Sequence, residues 1–252
     1  MGSLVVTGSS RGMGAGIARL GGERGWPVCV NYASNSDDGE AVVRHVEAAG
    51  GQAIAVQADV SNEADVERLF DEVTERLGPV TGLVNNAGIM GSGGRVDAIE
   101  IDMTRRLFEV NVIGPMICTR AAIRRMGKSH GGNGGAIVNV SSPAALHGGI
   151  GSYVDFAASK AALERYTTAA AQEQIADGVR INGTRPGFVM TEGNQAWADD
   201  HPDWVPSILE KLPIGREAGM IEIAAATLWL LSDESSYVVG TIMDVSGGLA
   251  VR

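Results

Sequence analysis

The chain has 252 residues, 44% of them hydrophobic, and 30 acidic against 20 basic side chains, for a formal charge of −10. That composition, with a mean hydropathy of +0.06, excludes wholesale disorder. An acidic balance without a Lys/Arg run also excludes a nucleic-acid or anionic-membrane partner, which needs concentrated positive charge. At this length an α/β chain is expected to form one unit, residues 1–252, around a single large core. No stretch reaches the ~18 apolar residues of a membrane span. Met1-Gly2-Ser3-Leu4 carries no basic targeting region, so a cytoplasmic location is expected. Cys29 and Cys118 stand apart from any Cys/His cluster, and neither a disulfide framework nor a metal site is expected.

Short β-branched runs alternate with amphipathic stretches from end to end, the pattern of repeated βα units around a parallel sheet. Strands are expected over 4–7, 28–31, 53–57, 82–85, 136–140, 180–184 and 241–245, and helices over 14–24, 38–48, 63–77, 104–126, 156–175 and 221–231. In the third helix Val66, Leu69, Phe70, Val73 and Leu77 recur at three- and four-residue spacing, which buries one face. Residues 190–219, rich in Asp, Pro and Trp and without a period over their first half, read as a lid or binding loop that includes a helix-like run over 205–212. The fold class is α/β: a doubly wound parallel sheet of seven strands with helices on both faces.

The first strand runs into Thr7-Gly8-Ser9-Ser10-Arg11-Gly12-Met13-Gly14 and then into a helix. Glycines at 8, 12 and 14 permit a tight turn and close backbone approach. They leave the first N–H groups of the helix open to an anion, the arrangement that binds a dinucleotide phosphate. After the second strand, where an acidic side chain would bind the ribose 2′-OH, the chain reads Val30-Asn31-Tyr32-Ala33-Ser34-Asn35, and the first carboxylate is delayed to Asp37. Ser34 and Asn35 as neutral donors, with the Arg11 guanidinium, suit a dianionic 2′-phosphate. NADP(H) is favoured; NAD(H) is the alternative if Arg11 is only a surface charge.

With this Thr-Gly-x3-Gly-x-Gly loop the chain resembles the short-chain dehydrogenase/reductase family in its classical form, and the resemblance covers nearly the whole chain. Asp59-Val60 after the third strand, Asn85-Asn86-Ala87-Gly88 after the fourth, Asn111 in the long helix, Ser141-Ser142 after the fifth strand, Lys160, and Pro186-Gly187 with Thr191 follow in the family's order. The resemblance implies a Rossmann-type fold that binds a nicotinamide dinucleotide. Asp59 and Val60 would then flank the adenine, Asn86, Ala87 and Gly88 would line the ribose, and Val189 and Thr191, beyond Pro186-Gly187, would hold the carboxamide. Read alone, Asp59 is equally a cap for the helix that starts near Glu63. The resemblance further implies a homotetramer, with a dimer as the alternative, in which the helices over 104–126 and 156–175 form one interface.

In that family a Tyr four residues before the Lys exchanges the proton of the substrate oxygen, the two lying on one helix face. The Lys lowers the Tyr pKa and holds the nicotinamide ribose, a Ser orients the carbonyl, and an Asn supports a water relay. Here Lys160 is present, but the fourth residue before it is Phe156. Phenylalanine fills the same space and can neither give nor take a proton, so ordinary carbonyl reduction is expected to be impaired or trapped, by ~10²–10⁴-fold. Tyr153 stands seven residues before Lys160, about 10 Å along a helix, and does not replace the missing hydroxyl. Ser142 fits the serine position better than Ser141, and the pair leaves the choice open.

Substrate contacts are expected from Trp197 and Trp204 in the 190–212 loop, with His147, Ile150 and Tyr153. The catalytic set is thus Asn111, Ser142 and Lys160, with Phe156 in the proton donor's place. The parent reaction is reversible hydride transfer between NADP(H) and a carbonyl or alcohol carbon of a small molecule. Reduction of an already protonated imine or a non-redox reaction, which needs no Tyr, is one alternative; a non-catalytic NADP(H)-binding protein is another.

Overall fold

The computed structural model describes residues 2–148 and 153–250. Among these, seven strands form one parallel sheet: β1 (Ser3–Val6), β2 (Val28–Tyr32), β3 (Ala53–Gln57), β4 (Val80–Asn85), β5 (Gly135–Val140), β6 (Val179–Pro186) and β7 (Ile242–Val245), in the order β3-β2-β1-β4-β5-β6-β7. Alternate side chains point to opposite faces. Val5, Cys29, Leu83 and Ile137 enter one core, and Leu4, Val6, Val28, Val30, Val84 and Val138 the other. Strands apolar on both faces require helices on both faces. Helix α1 (Gly12–Glu23), α2 (Ser36–Ala48) and α10 (Met220–Leu231) cover the second, and α3 (Glu63–Leu77), α5 (Gly114–Met126) and α7 (Val154–Gln174) the first. Both cysteines are free and buried, and burial raises their thiols, that of Cys118 to about 12.

Two expectations are corrected. The helix expected over 104–126 is α4 (Ile101–Phe108), a π-turn at Glu109–Ile113, and α5. Pro115 in the first turn of α5 has no N–H to donate backward, and the register relaxes just ahead of it, with Asn111 at the centre of the π-turn. The first half of 190–219, expected to be irregular, holds α8 (Glu192–Asp200), started by the Thr191 hydroxyl, which accepts from Asn194 N–H at 3.2 Å, while α9 (Trp204–Leu209) falls on the run read as helix-like. A short α6 (Ala144–His147) follows β5. None of the described helices is long and apolar enough to cross a membrane.

Candidate active site

Strand order reverses at β1, which lies between β2 and β4, so the loops leaving the carboxyl ends of β1 and β4 meet over a crevice. Thr7 Oγ1 accepts from the N–H groups of Asn86 and Ala87, each at 3.0 Å, and the Asn86 amide donates to the carbonyls of Thr7 and Gly8. Gly8 and Gly12 have φ of +58° and +55°. A Cβ on Gly8 would stand 2.8 Å from Ala87 Cα, so this crossing of two loops admits only glycine.

Helix α1 starts behind an extended Arg11 and has no side-chain cap, whereas α2 and α3 are capped by Asn35 and Asn62. The uncapped N-terminus borders a cavity of about 420 Å³. Ser10, Arg11 and Met13 line it beside Gly8. Tyr32, Ala33, Ser34 and Asn35 close one end, and Asp59, Val60, Asn86, Ala87 and Gly88 complete the walls. Open N–H groups at the positive end of a helix, in a cradle that side chains would fill, fit the pyrophosphate of a dinucleotide.

Two side chains in this wall have partners that the sequence did not reveal. The Asn35 carbonyl oxygen accepts from the N–H groups of Asp37 and Asp38, and its amide donates to Asp38 Oδ2 at 2.7 Å, so one of its two amide protons is already taken. Asp59 is not the cap of α3; that is Asn62. Its carboxylate accepts from the Ser61 N–H and hydroxyl and from Arg106 at 2.7 Å. Burial pushes the Asp59 carboxyl up, but these hydrogen bonds and the Arg106 charge outweigh it and hold it below its ordinary value. Asp38 and Arg106 line the cavity too, and no motif pointed to either.

A second cavity of about 450 Å³ shares Met13, Asn86, Gly88 and Ile89 with the first. Lys160, Phe156, Ser141, Ser142, Pro186, Gly187, Val189 and Thr191 line it, brought together by β5, β6 and α7. Lys160 is 6% exposed, and its ammonium donates to the Val140 carbonyl at 2.9 Å and lies 5.6 Å from the centroid of the Phe156 ring. Burial lowers its pKa to about 8, against the opposing field of Glu164. Asn111 is fully buried; its side chain accepts from Ile89 N–H at 2.8 Å and donates to Ile89 O at 2.9 Å, fixing the turn beside Lys160.

The serines divide. Ser141 donates to Glu164 at 2.6 Å, while the Ser142 hydroxyl accepts from Ala144 N–H at 3.2 Å and keeps its proton for another partner. Glu164 also holds Arg185 at 2.6 and 2.7 Å, both side chains 13% exposed, and Arg185 reaches Asp244 at 3.0 Å. This cluster ties β5, α7, β6 and β7 together behind the cavity. Its sequence signal is weak: only that Glu164 falls one helical turn after Lys160.

An outer cavity of about 570 Å³ is lined by Arg11, Gly12, Met90, Tyr153, Thr191 and Trp204, and Trp204 meets Phe188 edge-on with centroids 5.5 Å apart. His147 Nε2 lies 2.9 Å from the Leu249 carbonyl, and His147 is not among the residues lining these three cavities. Trp197 belongs to α8, but its side chain lies outside the described residues, as does Ile150.

A family model described as enoyl-(acyl carrier protein) reductase matches residues 8–250. An uncharacterised oxidoreductase of Escherichia coli, YgfF, is 40% identical over 98% of this chain and 100% of its own. The 3beta-hydroxysteroid dehydrogenase 1 of Eggerthella lenta is 38% identical over 99% of this chain and 94% of its own. Among solved structures, a tryptophan variant of actinorhodin polyketide ketoreductase, crystallised with NADPH, superposes with a TM-score of 0.91 at 28% identity, covering 100% of this chain and 98% of that one.

Proposed function

The chain belongs to the classical short-chain dehydrogenase/reductase family, and on that premise we propose that it is an NADP(H)-dependent oxidoreductase that moves a hydride reversibly between the nicotinamide and a carbonyl or alcohol carbon of a small molecule. The observation that carries this reading is the shared wall of the two inner cavities, which sets Lys160, Ser142 and Phe156 at the far end of the glycine-loop cradle. Bound there, the nicotinamide would supply or accept the hydride. Gly12 and the first turn of α1 would take the pyrophosphate, Arg11 and Ser34 the 2′-phosphate, and Thr191 and Val189 would border the nicotinamide. Ser142 would donate to the substrate oxygen, and Asn111 would hold the turn at Ile89. Phe156 occupies the proton donor's position without its oxygen, so turnover is slow.

The apolar wall of Met90, Phe188 and Trp204 suits a ring ketone, and the names of two similar proteins, a hydroxysteroid dehydrogenase and a polyketide ketoreductase, support trying multi-ring ketones first. Exposed Ile101, Met103 and Ile113 on one side and Tyr237 and Val239 beside β7 support association into a homotetramer, which light scattering would report. A second reading, reduction of a protonated imine, is favoured by the absence of a phenol among the described residues lining the second cavity, since an iminium carbon needs no proton donor. The test is NADPH oxidation against ketones, diketones, quinones and imines by this chain and its Phe156→Tyr variant. A gain of about a hundredfold on a ketone in the variant supports hindered carbonyl reduction. Turnover of a cyclic imine alone by the unaltered chain moves the assignment to imines, and cofactor binding without turnover in both proteins overturns the enzymatic reading.

A further inference from the structure

The second cavity contains one titratable side chain among the described residues that line it, Lys160. Its ammonium carries three protons. One is donated to the Val140 carbonyl at 2.9 Å, and no other acceptor among the described residues takes the remaining two. The Phe156 ring lies within cation–π range at 5.6 Å, steadying the charge without competing for a proton.

We infer that in this chain Lys160 itself gives the proton to the substrate oxygen, in place of a residue 156 that has none to give. The inference rests on the hydride-transfer reading above. The carbonyl carbon takes a hydride from a bound reduced nicotinamide dinucleotide while the C=O π pair moves onto oxygen. That oxygen takes a proton from Nζ, directly or across one water, which breaks one N–H bond and forms the alcohol O–H. The products are the alcohol, the oxidised dinucleotide and a neutral amine, and the amine regains its proton from solvent. Ser142, which keeps a free donor, polarises the same oxygen.

The surroundings match this task. Burial brings Lys160 to about 8, close to working pH, where an acid both holds and releases its proton. The charged groups around it are Glu164, one turn on along α7; Arg185 of β6, bound to Glu164; Asp244 of β7, bound to Arg185; and buried Asp155 in the first turn of α7. The turn after β4 contributes the amide Asn86 and the π-turn the amide Asn111, the π-turn's one carboxylate, Glu109, being exposed and paired with Arg106. Burial therefore sets the direction in which Lys160 is shifted, and Glu164, whose charge opposes it, is a positioning residue for Lys160.

The test measures acylation of Lys160 by acetic anhydride as a function of pH, read by peptide mass spectrometry on the substrate-free protein, beside the pH profile of ketone reduction. The expected result is one midpoint for both, near pH 8, with the rate falling above it. Glu164→Gln moves both midpoints down together. Glu164→Asp, which keeps the pair with Arg185, leaves them nearer the native value and guards against misfolding. Lys160→Arg, which keeps a charge for the ribose but cannot release a proton at these pH values, loses about a hundredfold in rate at saturating dinucleotide, beyond any change in its binding read by fluorescence. A rate profile that ignores the Lys160 midpoint, or an Arg variant of undiminished rate, overturns the assignment. If Phe156→Tyr reduces ketones and the unaltered chain reduces none, this assignment fails alone; if neither does, the hydride-transfer reading falls and takes it along.

Discussion

Two buried polar clusters lie side by side at the carboxyl ends of the strands, and they are held in opposite ways. Around the glycine loop the buried groups are paired: Asn31 accepts from Gly8 N–H at 3.0 Å and donates to the carbonyls of Val56 and Ala58, while Ser9 donates to Val6 O at 2.6 Å. Around Lys160 a buried cation has one carbonyl and one ring face. The first cluster spends its hydrogen bonds on fixing a shape, into which an anion fits. The second leaves a charge under-solvated, which destabilises the fold and loosens the ammonium's hold on its proton.

The largest loss of stability expected from this contrast is at the cradle. Asn31→Ala removes the amide that joins the half-buried Gly8 N–H to the buried carbonyls of Val56 and Ala58, so at 1–3 kcal/mol for a buried group left unpaired a loss on the order of 2 kcal/mol is expected in urea unfolding. A loss below about 1 kcal/mol would mean that water reaches these groups and that the cradle is not preformed.

Lys160 should behave in the reverse sense. Its folded-state pKa of about 8 lies below the ordinary 10.5, so the unfolded chain binds the proton more tightly. The penalty is fully present below pH 8, shrinks as pH rises through 8, and is gone above 10.5. Measured against Lys160→Met, the unaltered chain should gain up to about 3 kcal/mol across that window. Loss of the Val140 contact is the same at every pH and cancels in the comparison. A stability difference that stays flat from pH 7 to 10.5 would remove the distinction between the two clusters.

The two clusters also differed in how far the sequence disclosed them. The cradle is local: a strand, three glycines at set spacing and a helix start all fall within Leu4–Gly14, and the backbone strain at Gly8 is itself a reason for glycine. Lys160 and Phe156 were legible only through the family resemblance, whose Tyr and Lys stand four residues apart on one helix face. What supports them was not. Glu164 and Arg185 meet across 21 positions, and Arg106 reaches Asp59 across 47, contacts that depend on how sheet and helices stack. Asn35 was visible as a polar side chain in the right place, but its capping of α2 depends on where that helix starts, two residues earlier than the apolar period suggests. The break between α4 and α5 did leave a mark, Pro115 inside an expected helix.

A smaller effect is expected at the adenine end. Arg11 makes no ion pair among the described residues and lines both the cradle and the outer cavity. If its charge is reserved for a 2′-phosphate, Arg11→Ala should weaken NADPH binding about tenfold, the worth of one charge-assisted hydrogen bond, and leave NADH nearly unchanged. Equal weakening of both would place Arg11 on the pyrophosphate.

Asp38 should have the smallest and most diagnostic effect. Its carboxylate, bound to the Asn35 amide at 2.7 Å, lies in the same wall as Arg11, so beside the paired Asp59 and Arg106 a 2′-phosphate there faces one further charge of each sign. Asp38→Asn keeps an acceptor for Asn35 and removes only the negative charge. NADPH binding should tighten severalfold at low salt and NADH binding hardly at all, because the 2′-OH carries no charge to repel, and the gain should shrink as salt screens the pair. The helix loses a favourable acidic residue in its first turn, worth about 0.3–1 kcal/mol, so a slightly lower melting temperature should accompany the tighter binding. Calorimetric titration of both dinucleotides decides it: a shift common to the two makes Asp38 a partner of the cap alone, and a shift confined to NADPH makes it a brake on cofactor preference set against Arg11.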